Sequence, residues 1–201
     1  MMLEVKDATI AVGEKILATN LSFIARDGEL TCITGPEGSG KTAFIRTLMG
    51  FLPVKAGFVS VDGELLTVRS SHAFRRMMVY LPQTLQMLGH QLEEVAPEEP
   101  EEADYAVWDA LLPKRAVVDA PAPLSSEAIC QLAEKTIREA PDKPIIVADE
   151  PTALLTPEDT ERLISLLKAQ AAAGKTVLVA SRKYQVISRA DQVITLENDK
   201  S

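Results

Sequence analysis

Eight consecutive residues, Gly35, Pro36, Glu37, Gly38, Ser39, Gly40, Lys41 and Thr42, fit the spacing G-x-x-x-x-G-K-[ST]. That pattern is suited to holding phosphate. Glycines allow backbone N–H groups to turn toward an anion without Cβ obstruction. The apolar spacing of Phe44, Ile45, Leu48 and Met49 predicts a helix directly after the loop, with Ala43 in its first turn. Its positive N-terminal end points at the same anion. Lys41 is then placed to reach the β- and γ-phosphates of a nucleotide, and the Thr42 hydroxyl to hold Mg2+.

A second half-site lies downstream, where the apolar run IIVA ends in Asp149 and Glu150. Burying an acidic pair at the end of a core strand is costly unless it meets a cation. Asp149 is expected to hold Mg2+ through its water shell, and Glu150 to orient or deprotonate an attacking water.

The elements around these residues must bring them together. LEVKDATIAV and ILATNLSFIA alternate as strands, and the turn RDGE precedes a third strand at Leu30–Thr34, which leads into Gly35. GFVSVDGELL predicts a hairpin turning at Asp62-Gly63. MMVYLPQ reads as a buried strand stopped by Pro82, and PIIVADEPT as another. SSEAICQLAEKTIREA predicts a helix capped by Ser125, with Ile129, Leu132, Ala133, Ile137 and Ala140 on one face. TPEDTERLISLLKAQAAAG predicts a helix between Pro157 and Gly174. TVLVASR and DQVITLEN add two more strands. Strands alternating with helices imply a mainly parallel sheet covered on both faces. Between Gln83 and about Ala140 the character changes, with an acidic, proline-broken run from Glu93 to Asp104 that reads as solvated surface and a possible short helix at YAVWDALL.

The 201 residues suit one domain. A formal net charge of −8, with no basic cluster on a predicted face, argues against a nucleic-acid partner. Cys32 and Cys130 match neither metal spacing nor a disulfide framework, so a reducing compartment is expected. No run approaches the ~18 apolar residues of a membrane-spanning helix, and the N-terminus does not read as a signal peptide. Direct membrane insertion is therefore not expected.

GPEGSGKT, YLPQ and VADEPT, in this order and separation, resemble the nucleotide-binding subunits of ATP-binding cassette transporters over essentially the whole chain. The resemblance implies the P-loop NTPase fold of that family: a mainly parallel sheet with helices on both faces, an antiparallel β subdomain and a small helical subdomain. Residues 1–201 would form one such domain, with a core at 1–83 and 141–201 and the helical subdomain at about 84–140. Gln83 matches the family's glutamine that touches Mg2+ and senses the membrane subunits. ATP and Mg2+ are the implied ligands. The implied partners are transmembrane permease subunits and a second nucleotide-binding subunit, like or unlike, at the cytoplasmic face of the membrane.

The chain also departs from the pattern. The family's signature LSGGQ, which reaches a partner's nucleotide, is here LSSEA, Leu124 to Ala128. Ser125 keeps its place for contact in trans. Glu127 either faces a partner's phosphates or points to solvent in the first helical turn, where acids are common. Where the family carries a histidine after TVLVAS, this chain has Arg182. Arginine is no base near neutral pH but stabilises phosphate charge; alternatively it is a surface residue beyond a strand end. In a symmetric pair, Arg182 of one subunit and Glu127 of the other would converge on one γ-phosphate and balance its surroundings. Val12 stands where an aromatic residue stacks on adenine, and Thr156 where the family has an aspartate. The leading expectation is an ATP-hydrolysing transporter subunit, weakened by these replacements. A non-catalytic or regulatory ATP-binding module paired with a standard partner is the alternative. A soluble cassette ATPase of DNA maintenance or translation fits least well.

Overall fold

The computed structural model describes residues 1–83 and 124–197. The acidic run from Glu93 to Asp104, the YAVWDALL segment and most of the expected helical subdomain lie outside them.

Two sheets organise these residues. β1 (Met2–Val12), β2 (Lys15–Arg26), β4 (Ala56–Val61) and β5 (Glu64–Leu65) form an antiparallel sheet in the order β2-β1-β4-β5. The β4–β5 turn is at Asp62-Gly63, as the sequence predicts. β3 (Leu30–Thr34), β6 (Met78–Leu81), β7 (Ile145–Asp149), β8 (Thr176–Ala180) and β9 (Gln192–Thr195) form a wholly parallel sheet in the order β6-β7-β8-β3-β9.

The pleat of the parallel strands divides the core in two. Ile33, Ile145, Val147, Leu178 and Ala180 face α1 (Lys41–Leu48) and the antiparallel sheet, packing with Phe44, Ile45, Leu48, Leu3, Val5 and Ile10. The Phe44 ring meets Phe23 of β2 at 5.8 Å between centroids, fastening α1 to that sheet. Cys32, Ile146, Ala148, Val177 and Val179 face the other way, onto α3 (Ser126–Arg138), α4 (Pro157–Ala172) and α5 (Tyr184–Arg189). Both faces of the sheet are therefore covered, which explains why β7 and β8 are buried at every position. Burial raises the Cys32 thiol to about 12, so it packs as a neutral apolar group, and Cys130 is buried and free as well.

Two short helices, α2 (Ser71–Arg76) and α5, have no counterpart in the sequence reading. The helix predicted from Ser125 begins where expected: the Ser125 side chain accepts from Ala128 N at 3.2 Å. Thr156 likewise caps α4, accepting from Asp159 N at 3.2 Å.

Candidate functional site

The parallel order β6-β7-β8-β3 sets four strand ends side by side, and each delivers a predicted site residue. Gln83 follows β6, Asp149 and Glu150 end β7, Arg182 follows β8, and the glycine loop follows β3. Open α/β sheets bind ligands beyond the carboxyl ends of their strands for this reason.

The loop is held by what glycine alone permits. Gly35 has φ +148°, and a Cβ there would lie 2.4 Å from Leu196 O and 2.7 Å from Ser39 Oγ. Gly40, at φ +92°, would push a Cβ to 2.8 Å from the Leu17 Cβ. α1 therefore starts from a left-handed residue, with no side chain capping it and no acid in its first turn. Its N-terminal N–H groups are left for an outside acceptor.

Lys41 lies folded against its own loop. Its Nζ donates to Gly35 O and Pro36 O, both at 2.9 Å, and stands 4.0 Å from Glu150 Oε1. Burial lowers its pKa, partly opposed by the Glu150 charge. Thr42 Oγ1 donates to Asp149 Oδ1 at 3.2 Å, joining the two half-sites directly. Glu150 is buried at φ +45°, a left-handed conformation that non-glycine residues rarely adopt and that concentrates at functional sites. Its N–H donates to Ala180 O at 2.8 Å, which holds the strained residue against β8. Arg182 Nε lies 3.3 Å from Glu150 Oε1, and Arg182 Nη1 lies 3.2 Å from Glu37 Oε2.

These groups border a cleft of about 410 Å³. Of the predicted ligand residues, Glu37, Gly38, Gly40, Lys41, Thr42, Ala43, Gln83, Glu150 and Arg182 line it. Gly35, Pro36 and Ser39 support the loop from behind, and Asp149 sits beneath it, bonded to Thr42. Ser125 is not in the lining; it is exposed at the start of α3. Glu127 is exposed in the first turn of α3 and accepts from Gln131 Nε2 at 3.1 Å. The neighbouring Ser126 Oγ accepts from Thr156 N at 2.8 Å and donates to Asp159, tying the start of α3 to that of α4. The lining also holds Leu17, Arg46 and Leu52, which the sequence reading missed, beside Val12 and Gly13. Arg46 falls one helical turn beyond Thr42, a spacing that could have revealed it.

Thr42 Oγ1, the Asp149 carboxylate and the exposed Gln83 amide are hard oxygen donors of the kind Mg2+ takes. Among the described residues no group of three or more His, Cys, Asp or Glu could hold a metal ion.

Asp149 is 1 % exposed, and burial raises its pKa above 3.8, with the Glu150 charge adding to the shift and the Thr42 hydrogen bond opposing it. Above 3.8 the folded chain therefore retains a proton that the unfolded chain has released, and stability falls as pH rises through that interval. At neutral pH the ionised carboxylate costs stability. Asp149→Asn, which keeps an acceptor for Thr42, is expected to raise the Tm of the ligand-free chain by about 2–4 °C, the shift that ~1 kcal/mol produces at this size. Thermal unfolding at pH 7 checks this, and an unchanged or lower Tm contradicts it.

The ABC transporter family model matches residues 18–153. A candidate ABC transporter ATP-binding protein of Treponema denticola is 31% identical, aligned over 98% of this chain and 41% of its own length. A mycobactin import ATP-binding/permease protein of Mycolicibacterium smegmatis is 29% identical over 90% of this chain and 22% of its own. The chain spans less than half the length of these curated relatives. Among solved structures, the fold is similar to a dimeric ATP-binding cassette in a post-hydrolysis state with ADP and Pi. The TM-score is 0.68 at 23% identity, covering 97% of this chain and 94% of that one. It is also similar to a bacterial Atm1-family exporter with ATP bound, with a TM-score of 0.69 at 19% identity, covering 98% of this chain and 37% of that one.

Proposed function

The chain belongs to the ABC transporter family through its ATP-binding domain, and from that premise we propose that it binds Mg-ATP in the cleft between the glycine loop and Glu150 and hydrolyses it there. The observation that carries this reading is the joining of the two half-sites through the Thr42–Asp149 hydrogen bond, with Glu150 and Lys41 beside it. Lys41 and the loop N–H groups bind the β- and γ-phosphates. Thr42, Asp149 and Gln83 would hold Mg2+, which would supply charge neutralisation to the bound nucleotide. Glu150 orients a water and takes its proton as the water oxygen bonds to the γ-phosphorus. The bond to the β-phosphate oxygen breaks, giving ADP and inorganic phosphate. Val12, Leu17 and Leu52 offer the base an aliphatic wall rather than an aromatic one.

Residues 1–201 act as one cassette domain, with a helical subdomain at about 84–140. A second nucleotide-binding chain closes on it, Ser125 reaching the partner's nucleotide, and transmembrane permease partners hold the pair at the cytoplasmic face of the membrane. Support comes from the relatives: the ADP-bound structural neighbour is dimeric, and the mycobacterial relative unites ATP binding with a permease. Among the described residues no helix is long and apolar enough to cross a membrane. LSSEA and Arg182 in place of the family's residues slow turnover in this reading. They also motivate a second one, an ATP-binding module that closes without hydrolysis.

Phosphate release from ATP by the full chain, with and without Mg2+, separates the two. Mg2+-dependent release supports hydrolysis, whereas ATP binding without release replaces it by the binding module.

A further inference from the structure

We propose that Glu37, Arg182 and Glu150 form an electrostatic clasp across the mouth of the cleft, which a nucleotide's terminal phosphate must open and which thereby restrains the preference for triphosphate over diphosphate that Arg182 confers. The inference rests on the nucleotide-site reading. A single guanidinium spans two carboxylates: Nε lies 3.3 Å from Glu150 Oε1 and Nη1 3.2 Å from Glu37 Oε2. The Arg182 backbone N–H also points to Glu150 Oε2 at 3.4 Å. A carboxylate on the glycine loop is thus tied to one at the end of β7 by a residue at the end of β8.

The two ends of the clasp differ in strength. The Glu150 side chain is 9 % exposed and the Glu37 side chain 89 %. Breaking the buried pair would leave a desolvated carboxylate with only the more distant Lys41 Nζ, at 4.0 Å, to balance it, while the exposed pair is screened by water and gives way easily. Arg182 is therefore anchored on Glu150 and loosely held on Glu37.

A carboxylate on a loop shaped for a polyanion works against binding unless a cation neutralises it, and in the ligand-free chain Arg182 does so. A diphosphate can occupy Lys41 and the loop N–H groups without competing for the guanidinium. A triphosphate brings a further charged group that presents several acceptor oxygens, and these displace the screened Glu37 carboxylate from the Nη edge. Arg182 keeps its Nε contact with Glu150 throughout. It is then a positioning residue for Glu150 and a specificity-determining one for the nucleotide. Glu37 supplies the competing anion that the third phosphate must displace, and so holds that preference down.

The test is the Kd of the full chain for Mg-ATP and Mg-ADP, measured for wild type, Glu37→Gln, Arg182→Ala and the double variant, with Lys41→Ala as the site control. Glu37→Gln is expected to tighten ATP by about fivefold, the upper range for one exposed ion pair, and ADP by less than about twofold. With Arg182 replaced by alanine, the same substitution should lose that selectivity for ATP. Arg182→Lys keeps the charge but not the planar fork, so it should fall between wild type and alanine in ATP preference. Equal tightening of both nucleotides, or an undiminished ATP-selective gain without Arg182, overturns the clasp alone. Wild type that shows no Lys41-dependent nucleotide binding overturns the site reading and the clasp with it. Because Glu37 is exposed, the Glu37→Gln arm does not depend on whether Arg182→Ala folds.

Discussion

Glu150→Gln is expected to lower phosphate release by about a thousandfold while leaving ATP binding intact or tighter, the loss being that of a positioned general base. The amide has the same length as the carboxylate, so it can occupy the same left-handed residue at φ +45° and the same buried position. What disappears is a charge. The glutamine can still accept a hydrogen bond from Arg182 Nε, now 3.3 Å from Oε1, but it cannot take a proton from water. Removing a negative group beside bound phosphates also removes a repulsion, which is why affinity should not fall. Single-turnover phosphate release, with ATP affinity measured separately, checks both halves. A variant that keeps more than about a tenth of the wild-type rate would exclude Glu150 as the base. In that case its rare backbone conformation would serve only to place its ion pairs.

The fold was legible wherever a period could establish itself. β1, β2 and the covered strands of the parallel sheet announce themselves by alternation or by unbroken apolar runs, and α3 and α4 by their caps and apolar faces. α2 was not legible because six residues do not complete two turns. It is set up by local bonds instead: Ser70 Oγ accepts from Thr67 N at 2.8 Å and donates to Leu65 O at 2.7 Å, and only Ser71 and Phe74 are buried.

In the candidate site, the loop, Asp149 and Glu150 were legible because each sits at a strand end within a local motif. Leu17 and Leu52 were not, since they belong to β2 and to the segment after α1 and meet only once the two sheets are stacked. Arg182 shows the same limit more sharply. Reading along the chain addressed only its place opposite Glu127 of a second subunit and offered no partner within its own chain. Within the chain its partners are Glu150 and Glu37, the latter 145 positions away, brought together by the β8-β3 and β7-β8 neighbourhoods. Glu127 stands exposed in the first turn of α3 beside Gln131, the solvent-facing one of the two positions its sequence allowed.

Lys41→Ala is expected to weaken ATP binding by about a hundredfold, the value of a charge-assisted contact made without compensation from solvent, and to lower phosphate release in proportion at subsaturating ATP. The amine is an unusual group to keep buried with only backbone carbonyls at 2.9 Å and a carboxylate at 4.0 Å. Its lowered pKa has a clear sign: below its ordinary value of 10.5, the folded chain gives up the proton before the unfolded one does. Stability therefore rises with pH through that interval, and at neutral pH the charged amine costs the ligand-free fold something. Alanine relieves that cost and strands the carbonyls of Gly35 and Pro36, so the two effects oppose each other and Tm should change little. Titration calorimetry with ATP, beside thermal unfolding of the ligand-free variant, reads both. Loss of binding at unchanged Tm assigns the lysine to the phosphates. Loss of binding with a collapsed Tm makes Lys41 a brace for its own loop, and unchanged ATP affinity would remove it from the site altogether. The first outcome follows from the geometry, because the same desolvation that makes the buried charged amine costly strengthens its attraction for a phosphate entering the cleft.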